Sequence, residues 1–361
     1  MSEAADPGPM GRDVARQPEV LRALAARAEA FIAAGQSVLR PGPGGRLIVC
    51  GCGDGVFAGA AAAGWAATLG LDWRAAGALE MVLGAEGLRE ADRVIAVSMS
   101  GNVDRTVEAA RAVEARGVPI LALVNGEGGR LGAIAAARVS LDLPDVAPFL
   151  CGTSSYTATL AALMLLACGA AGSDTRPDLG AVAAAQEAAL DAAAAVLPAI
   201  GLPAGVRVLS AGAELGTAQY GAAKLVELTH IPAWHGELEE FAHSQYWAMP
   251  AGDLVVVVAS DPVLAGYADE SCHALEGLGV QTLAVDTAAA PVTRATHRIT
   301  LPAIGPALAP LATALPLQLL AASLARRGGL DPDTRAHLKQ DAVRFRVSRQ
   351  LTRRSLLGTG Q

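Results

Sequence analysis

The segment Asp92-Arg-Val-Ile-Ala-Val-Ser98, followed at once by Met99-Ser-Gly-Asn102 and a helical stretch over Val103–Ala115, decides the fold. Its apolar residues form a short continuous run rather than an alternating one. Such a run fits a parallel strand buried on both faces beneath helices. Toward the N-terminus, Arg46–Cys50 is a second such run, ending in a glycine-rich turn before an Ala-rich helical stretch at 56–69; a further helix is predicted over 17–38. Pro119–Val124 and Arg138–Leu143 complete a first series of strands. A second series repeats the pattern with Arg207–Ala211, Asp253–Ala259, Val280–Val285 and His297–Leu301. Strands alternating with helices build βαβ units. Two series joined by the Ala-rich helix near 179–197 predict an α/β protein with two tandem doubly wound parallel sheets. The domain plan is a helical segment over 1–40, a first domain over 41–175, a second over 176–330 and a tail over 331–361.

Composition agrees. Of 361 residues, 52% are hydrophobic and 17% charged, which excludes disorder and requires a large core. Aromatics are only 4%, so that core is Ala, Leu and Val. A formal charge of −7 argues against a nucleic-acid surface. The chain has only two lysines, Lys224 and Lys339, against 26 arginines. An amine can lose its proton and form a Schiff base, whereas a guanidinium effectively cannot, so both lysines are candidate site residues. Five cysteines (Cys50, Cys52, Cys151, Cys168, Cys272) make no disulfide framework, and a reducing cytoplasm is expected. Cys50-Gly-Cys52 has no Cys/His pair nearby at ligand spacing, so no metal is expected. The acidic N-terminus carries no signal-peptide core. Of two uncharged runs, 157–172 is too short to span a bilayer and 299–325 is broken by four prolines, so no membrane is expected.

In doubly wound sheets, ligands sit beyond the carboxyl ends of the strands, at the switch point. Two loops there stand out: Gly51-Cys52-Gly53-Asp54-Gly55 and Ser98-Met99-Ser100-Gly101-Asn102. Backbone amides at a helix start, with two hydroxyls, can cradle a phosphate; the same residues also suit a plain N-cap and turn. The first loop does not match G-x-G-x-x-G, and no acidic residue ends a second strand about 20 residues on, so no nicotinamide cofactor is expected.

Ser98-Met-Ser-Gly-Asn-Val-Asp-Arg-Thr106 resembles the sugar-phosphate loop S-x-S-G-x-T-x-x-T of the SIS (sugar isomerase) family, with Val103 in place of one Thr. Cys50-Gly-Cys-Gly53 looks like that family's C-G-T-S segment with both hydroxyls gone, and Gln17-Pro18 resembles the Q-P opening of double-SIS chains. Tyr220-Gly-Ala-Ala-Lys-Leu-Val-Glu227 resembles the A-L-K-L-K-E helix in the isomerase half of glucosamine-6-phosphate synthases. Glu240-Phe-Ala-His243 resembles their E-L-K-H segment, with the Glu-to-His spacing kept. The resemblance covers nearly the whole chain and implies two repeated three-layer αβα SIS domains, a homodimer with shared active sites, and no cofactor. It implies substrate contacts at Gly51, Cys52, Gly53, Ser98, Ser100, Gly101, Asn102, Thr106 and Glu240. Where the second half would carry a phosphate loop, Val258-Ala-Ser-Asp-Pro262 lacks S-x-S-G, so only the first half is expected to bind the anion.

Lys224 and Glu227, at i and i+3, share one helix face. Spacing alone equally suits a surface ion pair worth under about 1 kcal/mol. The resemblance makes Glu227 the base that moves a proton between C1 and C2 of an open-chain sugar. Burial among Leu225, Val226, Leu228 and Ile231 is expected to raise its pKa. His243 would open the sugar ring and come from the neighbouring subunit; His230 and His235 occupy no matched position. The basic tail, with Arg335, Lys339, Arg344, Arg346, Arg349, Arg353 and Arg354 against Asp341, is either a solvated arm or a cover over the site. In the second case Lys339 is its only available Schiff-base lysine.

The expected function is therefore a cytoplasmic phosphosugar or amino-sugar isomerase or deaminase working by C1–C2 proton transfer. With about 40 residues ahead of the first domain, no glutaminase domain is expected. A deglycase acting on a sugar-phosphate–amine adduct and a non-catalytic sugar-phosphate sensor are the alternatives.

Overall fold

A computed structural model describes residues 7–352; Arg353 and Arg354 of the basic tail lie outside the described residues. The first sheet contains β1 (Leu47–Gly51), β2 (Trp73–Gly77), β3 (Arg93–Val97), β4 (Ile120–Val124) and β5 (Ala137–Ser140), in the order β2-β1-β3-β4-β5. The second contains β6 (Val206–Ser210), β7 (Ala233–Glu237), β8 (Leu254–Ala259), β9 (Gln281–Thr287) and β10 (His297–Leu301), in the order β7-β6-β8-β9-β10. All pairings are parallel. The two sheets have the same strand order. The eight strands read from continuous apolar runs all form. β1, β4, β6 and β8 are buried along their whole length, because helices cover both faces.

The two strands that the sequence reading leaves out are β2 and β7, each an edge of its sheet. Trp-Arg-Ala-Ala-Gly and Ala-Trp-His-Gly-Glu carry polar or small residues in place of a continuous apolar run, and both strands are only partly buried. The long helix expected over 17–38 is two, Gln17–Ala26 and Ala28–Val38, and the Ala-rich stretch is likewise split into Asp54–Ala61 and Ala63–Thr68. The first uncharged run is longer than expected. Helix Ser154–Ala171 has the length and composition to cross a membrane, yet 89% of it is buried within the protein; the segment Leu179–Ala199 passes the same test and is 39% buried.

The chain divides into two compact units. The first gathers the described residues through Leu21, Pro144–Ser154 and Gly180–His337, and so holds the second sheet. The other holds the first sheet, from Arg22–Leu143, Ser155–Leu179 and the described residues from Leu338 onward. Register positions the loops within each. Gly51 pairs with Val97, so Cys52 and Ser98 emerge side by side at the switch point of the first sheet. Leu209 pairs with Val257, which brings the loops after β6 and β8 together in the same way.

Candidate active site

In the first sheet, Gly51 is buried and Cys52 and Gly53 are exposed. Gly53 takes φ +55° to open helix Asp54–Ala61, and Thr106 Oγ1 lies 3.7 Å from Cys52 Sγ. After β3 the chain makes a tight turn. Gly101 has φ +65°, and a Cβ there would fall 1.8 Å from the Gly128 carbonyl oxygen, so only glycine fits. Ser100 Oγ accepts from the Asn102 amide at 3.2 Å, and Asn102 Oδ1 accepts from the Arg130 amide at 3.1 Å. Ser98 is buried, and its Oγ has no hydrogen-bond partner. No side chain caps helix Asp104–Glu114, whose N-cap is Val103. Among the described residues Ser98 thus leaves a buried hydroxyl unsatisfied in the loop that leads to this helix. Arg130, which the sequence gave no reason to single out, bonds Asp104 at 2.6 Å and brings positive charge to this rim.

In the second unit of chemistry, helix Glu214–Thr229 carries the Lys224/Glu227 pair. Lys224 Nζ donates to Glu227 Oε2 at 2.7 Å. The other oxygen is taken by a residue that sequence reasoning counted only among the tail's charges: Arg335 Nη1 donates to Glu227 Oε1. Arg335 is buried, also donates through Nε to the Phe149 carbonyl at 2.8 Å, and lies over the Phe149 ring with Cζ 4.3 Å from its centroid. Burial alone would raise the Glu227 carboxyl; Lys224 and Arg335 outweigh it and hold the group below its ordinary value. This corrects the expectation of a raised pKa. The apolar neighbours are there, but Val226 is exposed and two cations face the carboxylate.

Backbone strain concentrates around this cluster. Among the described residues, four non-glycine residues have positive φ: Asp142, Phe149, His230 and Arg335. The last three surround Glu227: Phe149 holds Arg335, and His230 ends the helix and packs edge-on against His337 at 4.9 Å. Left-handed non-glycine backbone costs about 1–3 kcal/mol per residue and persists where its surroundings enforce it. The sequence did contain one signal for the neighbouring segment, the literal string Cys151-Gly-Thr-Ser154. Its Gly152 carbonyl accepts from Tyr220 Oη at 2.7 Å, and Ser154 Oγ donates to Asp13 at 2.9 Å.

The remaining sequence candidates lie apart from this cluster. His243 is exposed on helix Leu238–His243, with Nε2 3.0 Å from Glu239 Oε1, so its partner within the chain is Glu239. Glu240 is exposed on the same helix and donates its amide to Glu237. Lys339 is an exposed residue of helix Ala336–Gln340, in the other unit from Glu227; the tail cation bonded to Glu227 is Arg335.

Residues 44–168 match the SIS domain family. Over 273 residues, 69% of this chain, the sequence is 28% identical to glutamine–fructose-6-phosphate aminotransferase (isomerizing) of Mycobacterium bovis; a match to that of Pyrobaculum aerophilum is 27% identical over 257 residues. The matched stretches span 43% and 42% of those relatives' own length. The fold is shared with glucosamine-6-phosphate deaminase of Thermotoga maritima (TM-score 0.75, 18% identity, 91% of this chain and 98% of that one). It is shared also with tagatose-6-phosphate ketose/aldose isomerase of Escherichia coli (TM-score 0.76, 21% identity, 92% and 96%).

Proposed function

We propose that the protein is a sugar-phosphate aldose–ketose isomerase or amino-sugar-phosphate deaminase in which Glu227 transfers a proton between C1 and C2. The observation that carries this reading is the cluster of one carboxylate between two cations, Lys224 and Arg335, on strained backbone. A carboxylate kept ionised is ready to accept a carbon-bound proton. Removing that proton from C2 of an open-chain aldose leaves negative charge on the carbonyl oxygen at C1. An ammonium and a guanidinium beside the base stabilise that enediolate in a way they do not stabilise the neutral sugar. Moving the hydroxyl proton from O2 to O1 and returning the carbon-bound proton to C1 then gives the ketose. With an amine at C2 the intermediate is an enolamine; protonation at C1 gives an imine, and water then releases ammonia. Ser98, Ser100 and the amides of the loop through Asn102 would hold the phosphate, and His243 of a second subunit would serve ring opening. A double-SIS arrangement belongs to the same proposal, supported by the shared strand order of the two sheets; the dimer and the cytoplasmic location rest on the sequence reading alone.

The test is Glu227→Gln, which keeps shape and removes basicity. Deuterium wash-in at C2 of a sugar phosphate identified by thermal-shift screening should fall by about 10²–10⁴-fold, with melting temperature and ligand affinity nearly unchanged. Full exchange activity in the variant would remove Glu227 as base and leave the sensor reading as the better account.

A further inference from the structure

The loops after β6 and β8 enclose a crevice of about 370 Å³ lined by Gly212, Glu214, Ser260, Asp261, Leu264 and Tyr267 among others. It lies at the switch point of the second sheet, where doubly wound proteins bind ligands. Glu214 is in the first turn of the helix whose last turn carries Glu227. Thirteen residues at about 1.5 Å each put the two carboxyls roughly 20 Å apart, so the crevice is separate from the Lys224/Glu227/Arg335 cluster.

Its lining is acidic: among the described residues no lysine or arginine lines it, and two carboxyls do. Both helix starts already have an acid: Glu214 stands in the first turn of one, and Asp261 Oδ1 accepts from the amides of Val263 at 2.8 Å and Leu264 at 3.3 Å at the other. A phosphate would meet carboxylates where it needs amides. Glu214 is 2% exposed; Thr313 donates to its Oε2 at 2.8 Å, and Oε1 has no hydrogen-bond partner. A buried carboxyl with one oxygen unsatisfied is costly unless something completes it. Burial raises the Glu214 carboxyl above its ordinary value, with Thr217, Ser260 and Thr313 partly offsetting this. Among the described residues no cationic side chain lines the crevice to offset that burial.

We propose that this crevice is a second ligand site, taking a compact polar molecule through a primary ammonium group, with Glu214 and Asp261 as the acceptors. An ammonium carries three donors and no acceptor, matching a wall rich in acceptors and free of basic side chains. Leu264 and Tyr267 offer an apolar side against which a small ring can lie, and the tyrosine face favours a cation.

Glucosamine is the probe, with glucose as the uncharged control, followed by isothermal titration. Glucosamine should bind and glucose should bind at least about tenfold more weakly. Glu214→Gln should weaken glucosamine by about tenfold or more while its melting temperature stays at or above that of the parent, since Gln keeps an acceptor for Thr313 and has no charge to bury. Asp261→Asn, which keeps the helix cap, is the second variant and should weaken glucosamine as well. Saturating fructose 6-phosphate, which the other site is proposed to take, should leave this binding intact. Equal affinity for glucose, unchanged affinity in both crevice variants, or displacement by fructose 6-phosphate would each overturn the proposal; the last would place the amine in the other site.

Discussion

At the start of each sheet's central strand pair, an arginine just before or just inside one strand meets an aspartate just before the next. Arg46 and Asp92 do this for β1 and β3; Arg207 and Asp253 do it for β6 and β8. The Arg46 Nε lies 3.2 and 3.1 Å from the two Asp92 oxygens, which also accept from the amides of Arg46 and Arg89. The Arg207 pair is longer, 3.3 Å, and Arg207 instead stacks on Trp234 with Cζ 4.0 Å from the ring centroid. The bottom of the two halves is thus the same device built twice. The tops differ: Ser98 and Ser100 follow β3 and no side chain caps the helix there, although Asp54 and Asp104 stand in first turns, whereas Glu214 and Asp261 follow β6 and β8 and Asp261 caps its helix. A repeat that keeps its staple and changes its loops can keep one fold while separating two tasks.

The largest expected effect breaks the staple. Asp92 is fully buried, and removing it leaves a largely buried guanidinium without its partner, which costs about 3–5 kcal/mol. Asp92→Ala should lose that much in urea unfolding, and Asp253→Ala less, because Arg207 keeps its aromatic contact. Equal losses would mean that the two pairs do the same work despite their geometry. The pH dependence has a definite sign. Burial would raise Asp92, but Arg46 and the amides hold it below its ordinary 3.8. Its contribution to stability is therefore complete above about 3.8 and is lost as pH falls through the lower folded value.

Next is the loop that the sequence marked. If Ser98 and Ser100 hold a phosphate, replacing both with Ala should weaken fructose 6-phosphate by about 1–3 kcal/mol per lost bond. Ser260→Ala, at the matching place in the second sheet, should leave that affinity unchanged. Unaltered affinity in the double variant would move the phosphate elsewhere.

The architecture was legible because buried parallel strands leave continuous apolar runs such as Leu-Val-Val-Val-Val-Ala in β8. β2 and β7 were not, since neither Trp-Arg-Ala-Ala-Gly nor Ala-Trp-His-Gly-Glu carries a continuous apolar run, whereas the opposite edges, β5 and β10, were read from Arg138–Leu143 and His297–Leu301. At the site, Lys224 and Glu227 were legible from helical spacing and lysine scarcity. Arg335 was hidden for a physical reason: it reaches Glu227 from 108 residues away, and in sequence it is one arginine in a basic run. Phe149 was silent as well, because its part is a backbone carbonyl and a ring held at φ +67°.

Arg335 gives a third test, now of the charge on Glu227. With Lys224 kept and Arg335→Gln introduced, one of the two cations holding the carboxyl down is gone. The acid limb of any pH–rate profile should move to higher pH, the direction a less stabilised carboxylate requires. Lys339→Gln should leave that limb in place. Movement with Lys339 and none with Arg335 would return the tail lysine to the leading role.

The smallest effect asks whether the two tops differ in function or only in composition. Gly53, after β1, and Gly212, after β6, have φ +55° and +60°, and a Cβ at either meets nothing within 4 Å. Alanine at each position therefore pays only for left-handed backbone, about 1–2 kcal/mol. Gly53→Ala and Gly212→Ala should lose nearly the same stability in urea, since the strain is the same and no neighbour is struck. Their ligand effects should part. The methyl at Gly53 projects from a loop beside Ser98, so fructose 6-phosphate should bind more weakly, whereas Gly212→Ala should leave it untouched. A matched loss of sugar-phosphate affinity in both variants would show that the second top takes part in phosphate binding, and the division between the halves would fail.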